Sequence, residues 1–265
     1  MTTSTGGISG KNRQLLSRLN RQFPGPFSAT DAAAVLTLDI GTARQLLARF
    51  AGRGWLARIR SGLYATVPLE ASVPGEWRAD AWLVATKLFS PGYIGGWSAA
   101  EHWDLTEQIF RDVLVFTSRR VRHRTQEIQG TVFRVKVISA RKLFGAREVW
   151  RSRVPVPVSD ASRTLIDVLD DPSTGGGMRL VSEMTAAYFE ADARDDRVLI
   201  EYARRLGNGA VFKRLGHLIE VLDVEAPEIV GVCFREKTSG ISDLDPTIPG
   251  GVIRKRWNLR VNVDL

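Results

Sequence analysis

The sequence has one cysteine and three histidines, and it has no apolar stretch long enough to cross a bilayer. A lone cysteine cannot form an internal disulfide, which suits a reducing compartment. Cys233 lies in the apolar run 229–234, so we expect a buried structural thiol. The first twelve residues are polar and lack the apolar segment of a signal peptide. These absences predict a cytoplasmic protein with no membrane partner.

The motifs of common metal and phosphate chemistry are also missing. The three histidines are far apart and stand in no HExxH or CxxC context, so no zinc site is expected. Residues 175–177 are glycines without the Lys-Ser/Thr ending of a phosphate-binding loop, and they read as a flexible linker. None of the seven lysines follows Asp or Glu by two residues, the spacing of a restriction-type nuclease. We therefore predict no metal, no cofactor and no enzyme activity.

One pair of carboxylates leaves an enzymatic alternative open. Asp243 and Asp245 form an Asp-x-Asp pair, which nucleotidyltransferases use to hold two metal ions. Such sites also need a glycine turn and a helix upstream, whereas the preceding residues here read as a strand. Pro246 and Pro249 favour a loop. Loss of nucleotide transfer on changing both aspartates to Asn would be needed to support this alternative.

Positive charge is concentrated near the N-terminus. The chain has 265 residues, enough for two domains, and a formal net charge of +8. Residues 1–70 contain nine Lys/Arg and three Asp/Glu, whereas residues 71–265 contain 28 and 26. This imbalance predicts that a small N-terminal domain binds a polyanion such as DNA.

The N-terminal quarter has the element order of a winged helix-turn-helix. A helix over 11–23 ends at Pro-Gly-Pro, a second starts after Ser28 with Asp31 in its first turn, and a third runs over 40–53 after Asp39. The third helix has a predicted apolar stripe of Ile40, Ala43, Leu47 and Phe50. Two β-prone segments around Ser61-Gly62 predict a hairpin. We expect a tail over 1–10 and a DNA-binding domain over 11–70.

The face opposite the stripe offers side chains suited to a major groove. Thr42, Arg44 and Gln45 are predicted to read bases, and Arg49 and Arg53 to contact bases or phosphates. The arginines of the hairpin and three cations of the first helix are predicted to contact phosphates: Arg58, Arg60, Lys11, Arg13 and Arg18. In the hairpin, Leu56 is expected on the side of Arg58 and Arg60, and Trp55, Ala57 and Ile59 on the core side. A solvated arginine face or a protein-interaction module remains the alternative.

Residues 76–265 read as a larger mixed α/β domain. The overall prediction is an α+β fold: the N-terminal domain, a mostly antiparallel sheet and a helical segment. Helices are predicted over 76–89, 98–103, 160–169, 178–190, 195–206 and 210–222, and strands over 113–116, 131–138, 154–158 and 257–263.

This larger region contains a second basic cluster. Arg119, Arg120, Arg122 and Arg124 lie within six residues and form either a second nucleic-acid or acidic-partner surface or a solvated loop. Residues 254–256, Arg-Lys-Arg, are a similar and weaker cluster.

Four segments carry a resemblance to a known family. They are RSGLY at 60–64, SDASRTLID at 159–167, NGAVFKRLG at 208–216 and WNLRVN at 257–262. With these segments the chain resembles the AbiEi antitoxins of bacterial abortive-infection toxin–antitoxin pairs. The resemblance implies a repressor that binds its own promoter in double-stranded DNA. It also implies an antitoxin that counteracts a cognate nucleotidyltransferase-like toxin, directly or indirectly, with no catalytic residue. A ligand-responsive winged-helix repressor unrelated to a toxin is the alternative.

Overall fold

A computed structural model of the chain describes residues 8–68, 71, 73 and 75–265. Most of the expected N-terminal tail, residues 1–7, lies outside the described residues. The first helix begins at Gly10, because the Ser9 hydroxyl accepts a hydrogen bond from the Asn12 backbone N–H. The last two residues assigned to the tail, Ser9 and Gly10, therefore form the start of this helix.

Three helices and three short strands make up the N-terminal part. Ser28 and Asp31 form a reciprocal capping box at the start of the second helix, and the Asp39 carboxylate accepts from the Thr42 N–H at the start of the third. Thr37 ends the second helix in a left-handed conformation. In order, the elements are α1 (Gly10–Gln22), β1 (Phe27–Ser28), α2 (Ala29–Leu36), α3 (Ile40–Gly52), β2 (Leu56–Arg60) and β3 (Leu63–Thr66).

The apolar face of α3 is shifted from the predicted stripe. Ala43, Leu47 and Phe50 are buried as expected, but Ile40 is 39% exposed and Leu46 is buried instead. Ile40 is the first residue of the helix and projects beyond the core formed by α1 and α2, so the prediction for Ile40 was wrong.

The two faces of the β2–β3 hairpin pack against two cores. Leu56 enters the core of the N-terminal helices, while Ile59, three residues further along and so on the opposite face, enters a second core with residues of the larger region. The pairing register between β2 and β3 shifts between Arg58 and Arg60, which leaves one extra residue on β2. The prediction that the side of Leu56 and Arg58 is exposed was wrong at Leu56, because the core of the N-terminal helices covers the start of the strand.

The larger region starts with a helix and a six-stranded mixed sheet. The predicted helix over 76–89 starts five residues later than expected, at Ala81, because the Asp80 carboxylate caps it. The sheet has the strand order β6-β7-β5-β4-β9-β8. The elements are α4 (Ala81–Phe89), β4 (Gly92–Ile94), α5 (Trp97–His102), β5 (Val113–Thr117), β6 (Thr125–Ile128), β7 (Thr131–Val137), β8 (Ala146–Arg151) and β9 (Val154–Ser159).

Both faces of this sheet are covered. In β5, Val113 and Val115 face a core with α4 and the hairpin, whereas Leu114 and Phe116 face a core with the later helices. Strands buried on both faces read as continuous apolar runs, which explains the VLVF segment of β5. Most strand pairs of the chain are antiparallel, so the prediction of an α+β fold with mostly antiparallel pairing is confirmed.

The second half of the chain is a helical layer closed by a small three-stranded sheet of order β10-β12-β11. The apolar run 229–234, which was predicted to be a strand, lies within a helix. Cys233 is buried in this helix, as predicted. The elements are α6 (Ala161–Asp170), α7 (Met178–Glu190), α8 (Asp196–Leu206), α9 (Gly209–Val221), α10 (Pro227–Glu236), β10 (Ser242–Asp243), β11 (Val252–Arg254) and β12 (Leu259–Val261).

The glycines expected to form a flexible linker belong to a packed turn. Gly175 is buried at the end of a short 3-10 helix, Pro172–Gly175, and a side chain there would meet Val168 and Val181. Gly176 and Gly177 have positive φ angles of 87° and 102°, which glycine adopts without strain. The linker prediction was therefore wrong, because close packing and backbone conformation both require glycine here.

Buried cations tie the helical layer together. Arg163 is 1% exposed, bonds Asp167 at 2.7 Å and the Tyr93 hydroxyl at 3.1 Å, and lies over the Phe144 ring. Burial and the Asp167 charge raise the pKa of Tyr93 well above its ordinary value. Arg214 donates to backbone carbonyls on both sides of α9, including those of Leu169 and Asp243 at 2.7 and 2.8 Å. These contacts connect α6 and α9 with the small sheet.

We predict that Gly216→Ala destabilises the protein by about 1–3 kcal/mol, because the new methyl group would overlap the ring of the buried Trp257. Urea unfolding followed by far-UV circular dichroism measures the change. Gly231→Ala in α10 is the matched control, since the added carbon meets only ordinary contacts and alanine favours the helix by about 0.5–1 kcal/mol. Equal stability of Gly216→Ala and wild type would contradict the packing of Trp257 on α9.

Candidate nucleic-acid interface

The outward face of α3 presents the predicted base-reading side chains together. Thr42, Arg44, Gln45 and Arg49 are exposed, and Ala43 and Leu46 between them are buried. Neither arginine forms an ion pair with any acidic residue that the structure describes. This face of α3 therefore offers unpaired positive charge beside two polar hydrogen-bonding side chains.

The other predicted N-terminal cations are exposed as well, but some have partners. Arg53 lies 5.2 Å from the centre of the Trp55 ring, and Arg18 donates to the Val35 carbonyl at the end of α2. Lys11 and Arg13 lie exposed in the first turn of α1. Of this group, Arg18 is held in place by α2 and the others are freer to meet a ligand.

The two arginines of the hairpin lie on a strand that is fixed by packing against two cores. Arg58 and Arg60 are exposed and flank the buried Ile59, which belongs to the same core as Leu83 and Phe133 of the larger region. The sequence predicted a hairpin with one face on a core, whereas residues of this hairpin enter two cores.

The second basic cluster lies beside this hairpin. Arg119, Arg120, Arg122 and Arg124 are exposed on the loop between β5 and β6, and Val121 within them packs against the same core as Ile59. Arg119 is oriented by a bond from its Nη1 to the Leu88 carbonyl at 3.1 Å. Burial lowers the pKa of Arg60, and the positive charge of Arg119 lowers it further. The sequence did not predict this juxtaposition, because it depends on the packing of the hairpin and the loop against one core.

We call the exposed cations of α3, the hairpin and this loop the N-terminal basic surface. Its residues are Arg44, Arg49, Arg53, Arg58, Arg60, Arg119, Arg120, Arg122 and Arg124. Within the described residues none of them is paired with a carboxylate at salt-bridge distance. Such a surface attracts polyanions over a range set by the ionic strength.

The carboxylates of Asp243 and Asp245 bond to other residues of the chain. Asp245 is 2% exposed; its carboxylate accepts from the Met178 N–H at the start of α7 and from both Thr247 donors. Asp243 pairs with Arg260 at 3.1 Å. Burial raises the pKa of the Asp245 carboxyl, but the hydrogen bonds from Thr247 and Met178 outweigh it, and the pKa lies below its ordinary value.

A groove of 690 Å³ runs between α8 and α10. Most of its lining is charged, with Val198, Ile200, Ile229 and Val232 as the apolar part; the charged residues are Asp195, Asp196, Arg197, Glu201, Arg204 and Glu228. In the part of the chain that the structure describes, no three metal-ligating side chains cluster together, and no helix could span a membrane.

Comparison with known proteins gives a likeness of fold. No protein-family model matches the chain, and no curated protein matches it. Among solved structures, the chain is similar to the crystal structure of the RV2827C protein from Mycobacterium tuberculosis. The TM-score is 0.64 at 16% sequence identity, over 96% of this chain and 92% of that one. The shared α+β fold therefore includes the N-terminal part and the larger region.

We expect Asp245→Asn to lose about 1–2 kcal/mol of stability at pH 7, because α7 loses a buried carboxylate at its N-terminus. Since the folded-state pKa is depressed, this contribution exists above the ordinary value of 3.8 and disappears as the pH falls through the folded-state pKa. Thermal unfolding from pH 3 to pH 7 should show the two proteins converging in acid. Asp243→Asn, which breaks only a half-exposed pair, should stay within about 1 kcal/mol of wild type. A constant difference at all pH values would contradict the role of the Asp245 charge.

Proposed function

We propose that residues 10–66 form a winged helix-turn-helix that binds duplex DNA, and that the protein represses transcription from its own promoter. The outward face of α3 supports this most directly, since it combines unpaired arginines with Thr42 and Gln45. In this proposal α2 and α3 are the two helices of the motif, and Thr37 makes the turn between them.

The chemistry of that face suits base recognition. Gln45 can pair with adenine through two hydrogen bonds, and Arg44 or Arg49 can do so with guanine. The Thr42 methyl group can contact thymine. Because the N-terminal turns of a recognition helix approach the bases most closely, Thr42, Arg44 and Gln45 are proposed to read sequence, and Arg49, one turn further along, to contact a guanine.

Arg58, Arg60 and the arginines of the 119–124 loop are proposed to hold phosphates. The hairpin and this loop pack against one core through Ile59 and Val121, so the contact would continue from the N-terminal part onto the larger region. Phosphate contacts position a protein on DNA without reading sequence. This assigns Arg119, Arg120, Arg122 and Arg124 to the DNA surface rather than to a solvated loop.

For the larger region we propose the antitoxin role that the resemblance to AbiEi proteins implies, against a nucleotidyltransferase-like toxin. The residues of the resembling segments are largely buried: Arg163 and Asp167 in α6, Lys213 and Arg214 in α9, and Trp257. They therefore support a common fold, and the surface that acts on a toxin lies among other residues. No catalytic residue is proposed, since Asp243 and Asp245 are engaged within the fold.

The alternative of a ligand-responsive repressor has less support. Small-molecule sites are mostly apolar with a few converging polar groups, whereas the groove between α8 and α10 is lined mainly by charged side chains.

We predict that the protein binds a duplex from upstream of its own gene about 10³-fold or more tightly than an unrelated duplex, and that Arg49→Ala removes most of this preference. Fluorescence anisotropy with both labelled duplexes at several salt concentrations measures it. Arg197→Ala, which removes an exposed arginine of α8, is the matched control and should bind like wild type. Equal, weak binding to both duplexes, unchanged by Arg49→Ala, would leave the N-terminal part as a protein-interaction module.

Removing phosphate contacts should act differently from removing a base contact. Arg60→Gln and Arg122→Gln are expected to weaken binding to both duplexes by similar factors. Each should reduce the slope of log K against log salt by about 0.9. The slopes come from the same titrations. An unchanged slope in Arg122→Gln would exclude the 119–124 loop from the DNA contact.

A further inference from the structure

An aromatic side chain lies exposed among cations at the C-terminal end of α10. Phe234 is 46% exposed, although it belongs to an apolar run whose neighbour Cys233 is fully buried. Lys237, which follows α10, and Arg256, in the turn between β11 and β12, approach its ring, and three exposed cations adjoin these residues in the sequence. Together with Phe234 they form what we call the Phe234 surface: Arg235, Lys237, Arg254, Lys255 and Arg256.

This surface stands on a rigid base. The Trp257 ring is buried against Gly216 of α9, and its Nε1 donates to Glu220 at 2.7 Å. The Trp257 and Phe234 rings lie nearly perpendicular, at 79°, with their centroids 6.1 Å apart. Lys237 donates to the Arg256 carbonyl, which ties α10 to the turn that follows β11. The aromatic ring and the cations are therefore held in place before any ligand arrives.

The charge of the surface is largely uncompensated. Arg256 pairs with Glu220 at 2.7 Å, but Arg235, Lys237, Arg254 and Lys255 have no carboxylate at salt-bridge distance among the residues that the structure describes. Lys237 lies 4.1 Å from the centre of the Phe234 ring and Arg256 lies 5.6 Å from it. Cations therefore approach the ring itself as well as its surroundings.

We infer that the Phe234 surface binds single-stranded nucleic acid, with a base against the Phe234 ring and the neighbouring phosphates on Lys237 and the 254–256 cations. Stacking of bases on an aromatic ring within a positively charged groove is how proteins hold single strands without sequence preference. A duplex keeps its bases stacked internally and cannot use the ring. The inference is independent of the proposed DNA site, since this surface packs on a core that contains no residue before Tyr93.

The test is anisotropy titration of the full-length protein with labelled ten-nucleotide oligouridylate and oligothymidylate, which distinguish RNA from DNA as the source of the single strand. Phe234→Ala and Phe234→Leu are expected to weaken binding roughly 5- to 100-fold, because leucine keeps apolar volume but has no π face. Phe234→Trp should bind as well as wild type or more tightly. Arg254→Gln and Lys255→Gln should each lower the salt slope by about 0.7.

Two controls make the result specific. Trp150→Ala removes an exposed aromatic ring from β8, 65% exposed, and should leave binding unchanged. Arg197→Ala, which removes an exposed arginine of α8 outside both basic surfaces, should also bind the single strands like wild type. Circular dichroism and melting temperature establish that each variant is folded.

Three outcomes would overturn the inference: no binding of either oligonucleotide, binding that Phe234→Ala and Phe234→Leu leave intact, or equal weakening by Trp150→Ala. Phe234-dependent binding to vesicles of phosphatidylserine and phosphatidylcholine, without binding to the oligonucleotides, would identify a membrane surface instead. A Phe234-dependent preference for a 20-base-pair duplex over both single strands would equally contradict it.

Discussion

Leu56 and Tyr64 enter the core of the three N-terminal helices, while Ile59 and Leu63 of the same hairpin enter the core beside the six-stranded sheet. The arrangement of both parts depends on this shared hairpin. Because successive side chains of a strand point to opposite faces, the five-residue strand β2 contributes to both cores. The ion pair between Asp31 of α2 and Lys87 of α4, at 2.7 Å, adds a polar contact across the same boundary. The face of α3 therefore has a fixed orientation relative to the arginines of the 119–124 loop.

Local signals in the sequence predicted most elements. Ser28 with Asp31, and Asp39 with the apolar spacing that follows it, identified α2 and α3, because helix caps and periodicity act within one or two turns. The continuous apolar run of β5 and the four consecutive helices were found in the same way. The errors came from tertiary contacts. The burial of Leu56 and Ile40 was predicted wrongly, since it depends on which other elements cover the start of β2 and the start of α3.

The burial of charged residues in the larger region was even harder to predict from the sequence. Arg163, Asp167 and Arg214 lie on helices whose bounds were predicted well, yet nothing local distinguishes them from solvated charges. Their burial follows from Tyr93, from Phe144 and from carbonyls brought in by distant segments. Asp243 and Asp245, which resembled a metal-binding pair, become an ion pair and a helix cap for the same reason. In the N-terminal part, by contrast, the exposure of Thr42, Arg44, Gln45 and Arg49 followed from helical periodicity alone.

The double-faced hairpin also limits how this protein can change over evolutionary time. A DNA-reading module joined to its neighbour by a free linker can be exchanged for another by recombination, and the two halves then diverge independently. Here a foreign N-terminal segment would have to supply side chains equivalent to Ile59, Leu63 and Ala65, or leave a cavity beside Phe133 and Val135. The outer face of α3 can therefore change by point substitution, while the hairpin beneath it is inherited together with the sheet.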